Sequence, residues 1–258
     1  MNTYAVTQSR VARSEWIKFR SVRSTLITFA AAVIVAVGLG LLLSALAGNT
    51  SQSTRATPDS LSLSLAGFSL AQLIIGVLGV LIVASEYSTG LMRTTLAAVT
   101  KRLPVLWGKV GVFATLTFGV MVVAAVATFL GGQALYAGNG ATVSLSDGGV
   151  LRAVIGAAVY ITGVGVMGVA LGFIMRSTAA AIGVLFAGLL LIPGLAGLLP
   201  GSFGHTLTKL LPSNAGQAFM SIGSHSDLLS PLAGFAVFAV WLAGMLAGAA
   251  FLLRRRDA

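Results

Sequence analysis

The sequence predicts an all-α integral membrane protein with six transmembrane helices, and three observations carry that prediction. The 258 residues are 57% hydrophobic and only 9% charged, with a mean hydropathy of +0.97. A soluble domain has about 25% charged residues, so this chain has little to show water. Six apolar runs reach the ~20 residues needed to cross a hydrocarbon core. Within them apolar residues run continuously instead of alternating, which fits helices and not a barrel.

Residues 1–24 form a cationic arm, and 25–258 form one six-span domain. In the arm, "VARSEWIKFRSVRS" places Val11, Ala12, Trp16, Phe19 and Val22 on one broad helical face. Arg10, Arg13, Ser14, Arg20 and Ser21 lie opposite, and Ile17 fits neither side. The pattern is that of an interfacial amphipathic helix against lipid headgroups. Glu15 interrupts the apolar face and calls for a cation, on this chain or on another subunit.

The spans fall at Thr25 to Ala47, Leu63 to Ala84, Val105 to Gly131, Val150 to Ile174, Ala179 to Leu199 and Leu232 to Leu253. No acid or base lies in their interiors, and Lys109 and Arg152 sit near ends, where they can snorkel. "ALA" at Ala45 to Ala47 mimics a signal-peptide cleavage site. The arm and the apolar run are both too long for that reading, because a signal h-region is ~7–15 residues.

Cations set the orientation. Thirteen lie in the arm, the second loop, the fourth loop and the tail, against Arg55, Arg152 and Lys209 on the other side. Positive charge stays in the cytoplasm, so both termini are expected inside. The net charge of +10 is therefore a topology signal, compatible with anionic lipid, and no sign of nucleic acid. With no cysteine and two histidines, His205 and His225, the chain offers no thiolate or histidine metal site.

The second loop is the densest in charge. "SEYSTGLMRTTLAAVTKRLPVLWGK" carries Glu86, Arg93, Lys101, Arg102 and Lys109. After Gly90 it reads as a short amphipathic helix, with Leu91, Met92, Thr95, Leu96 and Val99 on one face. Between spans five and six, two short apolar pieces lie among Pro193, Pro200, Pro212 and Pro231. They are too short to span, and read as re-entrant or interfacial hairpin helices, or as an outer loop with turns. Small residues recur at four-residue spacing (Gly40, Ser44 and Gly48; Gly168 and Gly172; Gly244 and Gly248), which favours close helix packing without locating a dimer interface.

An amphipathic "SEWIKFRS" arm before span one, then "SEYSTGLMRTTLAAVTKR" and a lysine opening span three, resembles the membrane subunit of a type-2 ATP-binding-cassette exporter. The resemblance extends over six spans, cytoplasmic termini and a long last outer loop. It implies that the arm is a connecting helix and the loop helix a coupling helix, and that half-helices cap the outer side. It also implies that Glu15, Trp16, Glu86, Gly90, Arg93 and Arg102 belong to the surface meeting an ATPase. A substrate path is implied at Phe68, Gln72 and Phe186, across a dimer axis.

The chain has no G-x-x-x-x-G-K-[ST], since Gly108-Lys109 is followed by Val110. An ATPase must therefore be a separate subunit, in two copies by resemblance, with ATP and Mg bound there and no cofactor in this chain. A second permease, identical or a close paralogue, is the other implied partner, with membrane lipid around both. Expected cargo is a hydrophobic or amphipathic small molecule, such as a drug, antibiotic, lipid or peptide, exported through a bacterial inner membrane and giving multidrug resistance. An ion-coupled carrier competes poorly, because the spans supply only hydroxyls, amides and any unwound backbone near Pro193. A membrane-embedded enzyme lacks its acid, base and nucleophile. A non-transporting subunit for assembly, regulation or metalloenzyme maturation is the alternative.

Overall fold

A computed structural model describes residues 8–48, 58–98, 102–136, 144–222 and 228–255. Among the described residues there is no strand. The order is α1 (Gln8–Ser21), α2 (Arg23–Gly48), α3 (Pro58–Ser88), α4 (Leu91–Ala98), α5 (Leu103–Tyr136) and α6 (Val150–Met175). Then follow α7 (Thr178–Phe186), a π turn (Ala187–Leu191), α8 (Ile192–Ala196), α9 (Gly201–Leu210), α10 (Pro212–Met220) and α11 (Pro231–Arg255).

Among the described residues six stretches are long and apolar enough to cross a membrane: Arg23–Ala47, Leu61–Ser88, Leu103–Leu135, Val150–Met175, Thr178–Ala196 and Pro231–Arg255. All six expected spans are therefore present. Most helices run a turn or so beyond the apolar runs, because backbone hydrogen bonding continues into the polar boundary. The fifth ends earlier than expected, at Ala196. It is also not a uniform α-helix. Ile192 N–H bonds the Ala187 carbonyl five residues back, so the chain takes a π turn just ahead of Pro193. Proline has no N–H to continue an α ladder, and a π bulge accommodates the interruption.

The fourth span is the hub. In α6, 89% of the apolar stretch is buried, against 17% in α2 and in α11. Glycine makes this possible. A Cβ on Gly79 would stand 2.1 Å from Gly165 O, and one on Gly168 2.1 Å from Gly76 O. Thus α3 and α6 touch backbone to backbone, the close approach that small residues permit. The other side of α3 meets α2 in the same way, with Gly67 against the Ala36 carbonyl and Gly40 against that of Ser64. Ser44 and Ser64 share a 3.0 Å hydroxyl contact there. Gly40, Ser44, Gly168 and Gly172 thus pack inside the chain, while Gly244 on α11 faces open space.

Candidate functional site

One end of the bundle gathers α1, the last turns of α3, α4, the first turns of α5, the α6–α7 turn and the end of α11. Arg102 at the start of α5 donates to Leu253 O of α11 (3.3 Å). Arg176 caps α6 in the left-handed region (φ 52°), its N–H bonded to Gly172 O. Its guanidinium lies 5.3 Å from the centre of the Tyr87 ring, and Tyr87 meets Phe173 edge-on. Gly90 separates α3 from α4 at φ +75°, a conformation glycine takes without strain.

At the centre of this end are four charges. Lys109 Nζ lies 2.7 Å from Glu15 Oε2 and 3.0 Å from Glu86 Oε1. Lys18 Nζ lies 3.1 Å from Glu15 Oε1 and 3.0 Å from the same Glu86 oxygen. Acids and bases alternate around the ring, so each charge has two neighbours of opposite sign. Three are buried: Lys109 at 2% exposure, Glu15 at 5% and Glu86 at 9%; Lys18 is open at 37%. Burial alone would raise the Glu15 carboxyl out of its ordinary range. Lys109 and then Lys18 outweigh it, by charge and by hydrogen bonding, and hold the group below 4.5. For Lys18, burial works downward, but Glu15 and Glu86 raise it above its ordinary 10.5.

Two expectations change here. Lys109 does not snorkel; it is enclosed six residues into α5. Two carboxylates give its ammonium what water would otherwise provide, which makes burial tolerable. Glu15 finds its cations within its own chain. The arm helix accordingly divides its expected apolar face between the bundle and the open side. Val11, Glu15 and Phe19 point inward, with Val11 packed on Gly108, while Trp16 is 44% exposed and Val22 also lies open. Fixing Glu15 on Lys109 sets that division, because a paired buried charge constrains more than an indole that is at home in the interface.

A helix spans Leu91–Ala98, and of the face expected to be apolar Met92 is fully buried while Leu91 is exposed, as is Thr94. The side chain of Arg93, together with Val99 and Lys101, lies outside the described residues. Of the six expected ATPase-facing residues, the structure brings Glu15 and Glu86 together in the charge ring, facing inward. Trp16, Gly90 and Arg102 lie around that ring at the same end.

The three path residues are not gathered on one open surface. Phe68 and Gln72 are buried inside the chain, and Gln72 accepts a hydrogen bond from the Tyr160 hydroxyl of α6. Phe186 is half-buried beside the π turn. Sequence reading missed Lys18 and Lys109 as site residues. A lysine just inside a span, with two glutamates at neighbouring boundaries, was the available signal.

At the opposite end, α10 lies along the first turns of α6. The Tyr160 ring meets Phe219 and Phe238 at 6.4 and 5.4 Å between centroids. Gly216 lets α10 approach that ring, since a Cβ there would be 2.1 Å from its carbons. Arg152 closes the edge by donating to Ser221 O at 2.9 Å.

A family model described as "ABC-2 family transporter protein" matches residues 12–194. The match begins in α1 and ends in α8, short of α9, α10 and the last span. No curated protein matches the chain.

Proposed function

The chain belongs to the ABC-2 transporter family, and from that premise we propose that it is the permease subunit of an ATP-driven exporter. It is a multi-pass membrane protein without an ATPase site of its own, and the family implies a partner ATPase. In our reading two copies of that ATPase bind ATP and Mg. They drive two permease subunits in a bacterial inner membrane, with both termini cytoplasmic, and the cargo is hydrophobic or amphipathic.

One observation carries the mechanism: the ring of Glu15, Lys18, Glu86 and Lys109 ties α1, α3 and α5 together beside α4. The exposed face of α4, with Arg93 on that helix and Arg102 nearby, is the surface offered to the ATPase. Glu15 and Glu86 then act as positioning residues that carry a push on α4 into the spans. Gly90 supplies the joint between helix and span. A rigid connection suits this task, because a force applied to one helix reaches the others only through contacts that do not slip.

The far end supports the reading of α9 and α10 as re-entrant. They are too short to span, and α10 buries its Phe219 side beside Tyr160, ten residues into α6. Phe186, with its open side at the π turn, suits a path between two permeases. Phe68 and Gln72 would reach such a path only when α3 and α6 part.

The test is transport in proteoliposomes holding this chain and its ATPase. ATP without any ion gradient is expected to drive export of an amphipathic dye. Export driven by a gradient and indifferent to ATP would overturn the reading.

A further inference from the structure

A cavity of about 430 Å³ opens beside the charge ring, walled by the α1–α2 elbow, the ends of α3 and α5, and Leu91. Two kinds of surface meet in it. Leu78, Leu81 and Ile82 of α3, with Val112 and Phe113 of α5, form an apolar wall. The four charges of the ring and the hydroxyls of Ser24, Thr25 and Thr28 form a polar rim. Trp16 and Trp107, both partly exposed on the neighbouring face, mark this level as the membrane–water interface.

Glu86 is satisfied on one side only. Its Oε1 takes both lysines, whereas Oε2 is buried and has no hydrogen-bond partner. A buried carboxylate oxygen without a donor is costly, and Glu86 is one of the residues lining this cavity, so a donor delivered there would satisfy it once the carboxylate turns to meet it. The ring itself is electrically balanced, with two acids against two bases. A headgroup of net charge would unbalance a poorly solvated cluster, but a zwitterion with a protonated amine would not.

We propose that this cavity binds phosphatidylethanolamine. The primary ammonium donates to Glu86 Oε2, the phosphate rests on Lys18 and the hydroxyls at the start of α2, and an acyl chain follows the apolar wall. Phosphatidylcholine matches the charge but has no N–H to give Glu86. Phosphatidylglycerol has hydroxyl donors but brings a net negative charge.

The test is binding of dioleoyl phosphatidylethanolamine, phosphatidylcholine and phosphatidylglycerol to the purified full chain, by native mass spectrometry in a mild detergent. Ethanolamine lipid is expected to bind about tenfold tighter than either of the others. Glu86→Gln is expected to erase that preference. Because Glu86→Gln also breaks two ion pairs, Thr28→Phe serves as a second variant that fills the cavity from α2 and leaves the ring intact. It is expected to weaken ethanolamine-lipid binding about tenfold with an unchanged unfolding temperature. Equal binding of ethanolamine and choline lipids, or undiminished binding in Thr28→Phe, would overturn the proposal. Soluble phosphoethanolamine is expected to compete poorly, since it lacks the acyl chain. Competition at concentrations comparable to the lipid would overturn the lipid assignment, and dodecylamine binding as tightly as the lipid would overturn the zwitterion.

Discussion

The α1 end and the α10 end of this bundle are both closed by short helices laid against long ones, but by opposite chemistries. At the α1 end four ionised groups meet within 3.1 Å, and three of them are buried. At the α10 end, Phe219 and Phe238 pack on Tyr160, and glycine lets the backbone come close. Aromatic packing tolerates sliding and small repacking, because its attraction is spread over many weak contacts. An alternating ion ring does not, since losing one member leaves its neighbours charged and buried. The charged end is thus the stiffer connection, and it stands beside the helix proposed to receive the ATPase.

The comparison breaks first at Lys109. Lys109→Met keeps the length of the side chain but leaves Glu15 and Glu86 buried with Lys18 as their remaining cation. The expected cost is about 3–5 kcal/mol, the range for removing one partner of a buried ionic cluster. Chemical denaturation of the purified chain in detergent would show it. A loss below about 1 kcal/mol would mean that the ring behaves as a surface network and carries no rigid connection.

Gly216→Val addresses the other end. The new side chain collides with the Tyr160 ring, so α10 must shift outward, and overpacking of this kind costs about 1–3 kcal/mol. This loss should be indifferent to salt and to pH between 5 and 9, since the collision is between uncharged groups and breaks no ion pair. Sensitivity to either would blur the distinction between the two ends.

How much of this was legible differs by region for a physical reason. The spans could be read because lipid demands long apolar runs, and the α4 helix because Gly90 and the amphipathic pattern are local. The backbone ahead of Pro193 is a hydrogen-bonded π turn and not the unwound segment considered there. The ring was not legible. Lys109 and Glu15 lie 94 positions apart, and their pairing is decided by how α1 docks on α5. The same contact decides which part of the arm's apolar face points inward and leaves Trp16 on the open side. Phe68 and Gln72 were placed by resemblance, and the glycine-mediated closeness of α3 and α6 that encloses them is a property of two helices together.

The smallest expected effect is the most specific to the charged end. Lys18 is more than a third exposed, so solvent screens its pairs, and Lys18→Gln should cost only about 0.2–1 kcal/mol near neutral pH. Its signature is in the pH profile. The Glu15 carboxyl is held below 4.5 in the folded chain, so its contribution is complete above that value and lost as pH falls through the folded one. The Lys18 amine is held above 10.5, so its contribution is complete below that value and lost as pH rises through the folded one. Docking of α1, followed through the fluorescence of Trp16 with the other two tryptophans replaced, should therefore be flat across neutral pH and loosen at both extremes. In Lys18→Gln, Glu15 keeps Lys109 but loses its second cation, so the acid transition should move to higher pH. The part of the alkaline transition that belongs to Lys18 should disappear. An acid transition that stays where it was would mean that Lys109 alone holds Glu15. The ring would then be a chain of three, with Lys18 a bystander at its mouth.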